Sequence, residues 1–170
     1  MDLTSREFWA LVHGILLGGA FLVAFTGGLA GFYSLRPELI TEAGVVERMR
    51  RLEWGTAGMA ALTWLTVIVG TWVVYPWYRE DTPDSPRSQL LANPDTEDWH
   101  TFGMEWKEHV AWIAPMLATA AAFIVFYYKR DLIRHPTARR MAMALFVGAF
   151  AVAVIAGVLG ALITKKAPVT

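Results

Sequence analysis

Four stretches of this chain, 8–35, 54–78, 106–128 and 141–163, are apolar almost without interruption, and this pattern restricts the fold more than any other feature. The first holds one ionisable side chain, His13; the second and fourth hold no charged residue; the third carries Lys107, Glu108 and His109 in its first turn. A bilayer core about 30 Å thick is crossed by a helix of about 20 apolar residues. In that core every backbone N–H and C=O has to be satisfied within the segment, which leaves helices as the structure for such runs. The expected fold is all-α, an integral membrane four-helix bundle, with residues 1–170 forming a single membrane domain. The start, Met1 to Glu7, lacks the basic start and the cleavage site of a signal peptide and the apolar block is too long for one, so the first apolar run reads as a retained span. Aromatic residues bracket the runs: Trp9, Trp77, Tyr78, Trp99 and Trp106 at one interface, Tyr33, Trp54, Tyr127 and Tyr128 at the other, where amphipathic rings prefer to lie.

An even number of crossings puts both termini on one side. That side carries six cations, Arg6, Arg79, Arg87, Lys107, Lys165 and Lys166. The opposite side carries nine in two short loops: Arg36, Arg48, Arg50, Arg51, Lys129, Arg130, Arg134, Arg139 and Arg140. The positive-inside rule then places those loops in the cytoplasm and both termini outside, in an inner (plasma) membrane. The segment 79–105 becomes an outer loop, irregular because of Pro83, Pro86 and Pro94 and rich in acids. It reads as a solvated connection, a cap over the bundle, or a docking face for a cationic partner such as a soluble cytochrome. The segment 38–51 is expected to form a short interfacial helix leading into the second span. A nucleic-acid surface is not expected, because topology accounts for the cations. With no Cys, the chain has no disulfide, Cys-ligated zinc, iron–sulfur cluster or covalently attached haem.

The histidines carry the functional reading, because ionisable groups inside a membrane are costly. His135 belongs to a basic loop and reads as solvated; His100 belongs to the outer loop. His13 follows Trp9 by four residues and His109 follows Trp106 by three, on spans that run in the same direction. At 1.5 Å rise per residue both imidazoles lie roughly 5 Å below the same interface. Imidazoles at equal depth on two helices of a bundle can ligate one haem iron from opposite faces. Arg6, seven residues before His13, shares its face and suits a propionate; Arg79 and Lys107 are alternatives. The competing readings are hydrogen-bonded structural histidines and a metal group built from His100, Glu105, Glu108 and His109. His100 and His109 are nine residues apart, so on one helix they face opposite ways. Small residues near His13 on the first span would let a macrocycle approach, but taken alone they fit ordinary helix packing through Gly27 and Gly31 better. Pro115 should kink the third span and free the carbonyl of Ala111.

A four-span bundle with His13 in Leu11-Val12-His13-Gly14 and His109 in Glu105-Trp106-Lys107-Glu108-His109 resembles the small b-type cytochrome subunits that anchor respiratory and photosynthetic electron-transfer complexes. The resemblance lies in the architecture and in these two residues. It implies one haem b near the outer (periplasmic) face, membrane lipids and other subunits of a redox complex as partners, and exchange of electrons with quinone or a periplasmic carrier. Glu105, Glu108 or His100 would then serve a quinone as proton partner. The alternatives are a haem-free scaffold subunit and, less well matched to spans without midplane charge, a small transporter.

Overall fold

The computed structural model describes residues 3–36 and 39–168, with the side chains of Glu42 and Ala43 left aside. Among the described residues there is no strand, and four helices are long and apolar enough to cross a membrane. They are α1 (Ser5–Ser34), α2 (Gly44–Tyr78), α4 (Trp99–Ile133) and α5 (Pro136–Lys166). A short helix, α3 (Pro86–Leu91), lies between the second and third. The chain is an all-α, multi-pass membrane protein.

Local chemistry sets the ends of these helices. Thr4 caps α1: its hydroxyl accepts from the Glu7 N–H at 3.2 Å while the Glu7 carboxylate accepts from the Thr4 N–H at 2.8 Å. Ser85 caps α3, and Pro86 and Pro136 occupy first-turn positions of α3 and α5, where a missing N–H costs nothing. At Lys129, with φ of 46°, α4 passes into the 3-10 turn Lys129–Ile133 that ends it. Before Pro115 the helical pattern of α4 lapses at Ala111 and Trp112, in accord with the expected kink. The segment expected to form a short helix leading into the second span is, from Gly44 onward, continuous with α2; Met49 and Leu52 are buried there and Glu47 pairs with Arg50 and Arg51 along the helix. Glu38 lies outside the described residues.

The chain forms two compact units, each drawing on every long helix. The unit made of Ala20–Trp64 and Ile113–Ala151 has a core of Phe32, Leu35, Leu52, Met59, Ala118, Val125 and Phe146. Phe21, Phe25, Phe146 and Phe150 stack along α1 and α5, with Phe25 and Phe150 centroids 3.7 Å apart. Gly28, not Gly27, makes the close approach: the Phe146 ring fills the place of a Gly28 Cβ, and a Cβ on Gly55 would lie 3.1 Å from the Gly28 backbone. Thr56 and Thr63 are buried but bond back to the carbonyls of Leu52 and Met59 at 2.9 and 3.0 Å.

The other unit, Met1–Gly19, Leu65–Trp112 and Val152–Thr170, holds the segment 79–105. Leu90 of α3 packs with Tyr78, Met104, Ile163 and Ala167, so the segment is folded onto the helix ends as a cap. Three π-helical segments occur in the described residues, Val12–Leu17, Gly70–Val74 and Trp99–Met104, and all lie in this unit.

Candidate functional site

A π-helical segment carries one residue more per turn than the α-helix around it, leaves backbone groups less regularly paired, and is common at functional sites. His13 lies in the first such segment and Gly70 opens the second. The two meet: a Cβ on Gly70 would stand 2.9 Å from Cε1 of His13, so the glycine makes room for the imidazole. The Thr66 backbone lies within reach of the same ring, yet its Nδ1 is buried with no hydrogen-bond partner. An orphaned polar atom in a buried position usually has a role or a missing partner.

His100 lies in the third π-helical segment and is 6% exposed. Its Nδ1 is 2.9 Å from the Tyr78 hydroxyl, and its Nε2 is 3.9 Å from a Glu105 carboxylate oxygen. Arg79 pairs with Glu105 and, at 3.6 Å, with Glu108, and its guanidinium covers the Tyr75 ring at 4.9 Å from the centroid. The Tyr75 hydroxyl faces the Glu108 carboxylate, whose Oε2 is buried and unpartnered. Tyr78, His100, Glu105, Arg79, Glu108 and Tyr75 thus form a connected polar network at the end of α2, its capping residue Arg79, and the start of α4. Every member except Arg79 can take up or release a proton.

His109 faces the other way. It is exposed, and its Nδ1 is 2.6 Å from the Glu105 carbonyl oxygen. A carbonyl only accepts, so Nδ1 carries the proton and Nε2 keeps its lone pair. The opposite facing of His100 and His109 agrees with their spacing, one buried and one exposed. The His13 ring is seated on Gly70, and the His109 ring on the carbonyl of its own helix. Arg6 is committed to Glu80 at 2.6 Å and is half-exposed. Lys107 lies along Gly160 of α5, with its Nζ 3.3 Å from where a Cβ would be. Donor atoms of Glu105, Glu108 and His109 fall within 4.8 Å of one another, a group that can hold a cation, although Arg79 already serves both carboxylates. His135, beside the Tyr128 ring at 5.1 Å, belongs to the other unit.

Sequence reasoning missed Gly70, the Tyr78–His100 pair and the bridging role of Arg79. Gly70 is an isolated glycine inside a long apolar run, which is a signal for close approach. The run Trp99 to Met104 is mostly apolar, and it is what draws His100 into the helix rather than leaving it in the loop. No family model, curated protein or solved structure matches this chain.

Proposed function

We propose that this chain is a membrane electron-transfer subunit that holds one haem b through His13 and His109, near the outer face of a plasma membrane with both termini outside. The observation that carries the reading is the state of the two imidazoles. His13 has a buried ring nitrogen with no partner, and His109 has its Nδ1 proton fixed by a backbone carbonyl, which leaves Nε2 as a ligand. Arg6 and Lys107 would balance propionate charge. The haem supplies one-electron chemistry when bound. The chain's own part is to hold the ring nitrogens in the ligating tautomer, keep water away with apolar spans, and offer the network of Tyr78, His100, Glu105 and Glu108 for the protons that accompany quinol oxidation. Other subunits of a redox complex and a soluble cytochrome are its proposed partners.

A second reading, a haem-free scaffold subunit, draws on two observations. His13 is already seated on Gly70, and α1 presents Ile15, Leu16 and Val23 at 71%, 61% and 74% exposure beside Gly14, Gly18 and Gly19, which have nothing within 4 Å. Such a face suits a neighbouring membrane helix.

Absorption spectra of the purified protein, oxidised and reduced, decide between them. The haem reading expects sharp low-spin reduced bands. They should be lost or turned high-spin in His13→Ala and in His109→Ala and be unchanged in His135→Ala. Loss in His100→Ala but not in His109→Ala would move one ligand. A colourless protein would leave the scaffold.

A further inference from the structure

The unit made of Ala20–Trp64 and Ile113–Ala151 has an open groove of about 620 Å³, lined by Trp64, Met116, Ala120, Phe123, Met141 and Leu145. That volume falls within the roughly 300–1,000 Å³ of ordinary ligand pockets. Its lining is apolar, and its polar atoms are engaged: the Trp64 N–H donates to the Thr119 hydroxyl at 3.0 Å, and that hydroxyl donates to the Pro115 carbonyl at 2.7 Å. The occupant therefore presents hydrocarbon to the groove.

What lies at its end identifies the rest of the occupant. Phe123 stacks on Tyr127 at 6.0 Å and continues the groove wall one turn along α4 to an exposed phenol. Two residues on, at Lys129, α4 passes into its closing 3-10 turn, and Lys129, Arg130, Arg134 and Arg140 follow before and beside Met141. All four are exposed, and among the described residues none makes an ion pair, although the segment contains one acid, Asp131. An apolar groove that runs to an exposed basic rim has the chemistry of one molecule: a lipid with an acyl chain and an anionic headgroup. A second copy in the same orientation would set these cations against their own kind, which is unfavourable.

We propose that this groove seats an acyl chain of an anionic phospholipid of the surrounding bilayer, whose phosphate is held by Lys129, Arg130, Arg134 and Arg140. The site is independent of the haem reading and of the orientation of the chain.

The test is native mass spectrometry of the full-length protein released from nanodiscs of equimolar phosphatidylglycerol and phosphatidylcholine. Phosphatidylglycerol should be retained roughly tenfold or more over phosphatidylcholine, and this preference should fall steeply as salt is raised before release. Changing the four cations together to Gln should abolish the preference. Ala120→Phe, which fills the groove, should reduce retention of both lipids. The salt series needs no variant and guards against misfolding of either one. Equal retention of the two lipids, a preference indifferent to salt, or a dimer that Ala120→Phe dissolves would each overturn the proposal, the last by making a second copy the occupant.

Discussion

Gly28 and Gly55 bring the backbones of α1 and α2 together, and the two positions beside them show how sharply residue identity matters. A Cβ on Gly55 meets the Gly28 backbone at 3.1 Å, and a backbone held within a long helix cannot yield locally. Gly55→Ala is expected to lower stability by roughly 1–3 kcal/mol as an overpacking change, read as a lower midpoint of thermal unfolding in detergent. Gly27→Ala meets nothing within 4 Å. It should leave the midpoint unchanged or raise it, because alanine is the better helix former by up to about 1 kcal/mol. Of the pair Gly27 and Gly31 expected from sequence, Gly31 does pack, with a Cβ there meeting Leu52 at 3.1 Å, but Gly28 takes the place of Gly27, because residues one apart on a helix differ by about 100° in direction and a glycine-rich run does not reveal which of its members faces inward. The same limit applies to the histidines. Depth below the interface was legible from the tryptophans, whereas the seating of His13 on Gly70 and of His109 on the Glu105 carbonyl depends on side-chain direction within irregular helix. Gly70→Ala separates the two functional readings at this scale. A haem held by His13 should lose its low-spin spectrum as the ring is displaced, whereas a scaffold should lose stability alone.

The ends and breaks of helices are where element-scale behaviour is decided. The last carbonyls of α1 have no helical partner, and two cations from elsewhere in the chain answer them: Arg48 donates to the Ser34 carbonyl at 2.8 Å and Arg139 to the Leu35 carbonyl at 2.7 Å. Leu35 is fully buried, so its carbonyl has no ready substitute. Arg139→Met keeps the apolar stem and removes the donor. It should cost about 1–2 kcal/mol locally, seen as faster amide exchange at Leu35 and Arg36, with the exchange of α5 itself little changed. The four spans were legible because hydropathy reports them directly, and Pro115 announced the break in α4. The three π-helical segments were not legible, since nothing in composition marks an extra residue in a turn. The folding of segment 79–105 as a cap through Leu90 was one of three readings the acids and prolines allowed; the buried contacts with Met104 and Ile163 distinguish it.

For the whole molecule, orientation is argued from charge, and ion pairing leaves the excess of nine cations over six in place. On the side of the termini, Arg6 is paired with Glu80, and Arg79 with Glu105 and Glu108. On the other side Arg50 and Arg51 are paired with Glu47, while Lys129, Arg130, Arg134 and Arg140 make no ion pair among the described residues. Unneutralised charge in short loops next to a span is what resists translocation, and with the two paired cations of each side set aside the excess of three on the loop side remains. The pair Lys165 and Lys166 opposes it, but both sit in the last turn of α5, where the helix C-terminus favours cations for its own reasons. A reporter active only in the cytoplasm, fused after Thr170, is therefore expected to be silent; Val169 and Thr170 lie outside the described residues, and the fusion reports the side of α5 from which they extend. Changing Lys165 and Lys166 to Ala should leave it silent. Changing Arg130, Arg134, Arg139 and Arg140 together to Gln should bring a fraction of molecules into the opposite orientation and switch the reporter on. Activity in the unmodified chain would reverse the topology and move the proposed haem, with its acidic cap, to the cytoplasmic side, where a periplasmic electron carrier has no access to it.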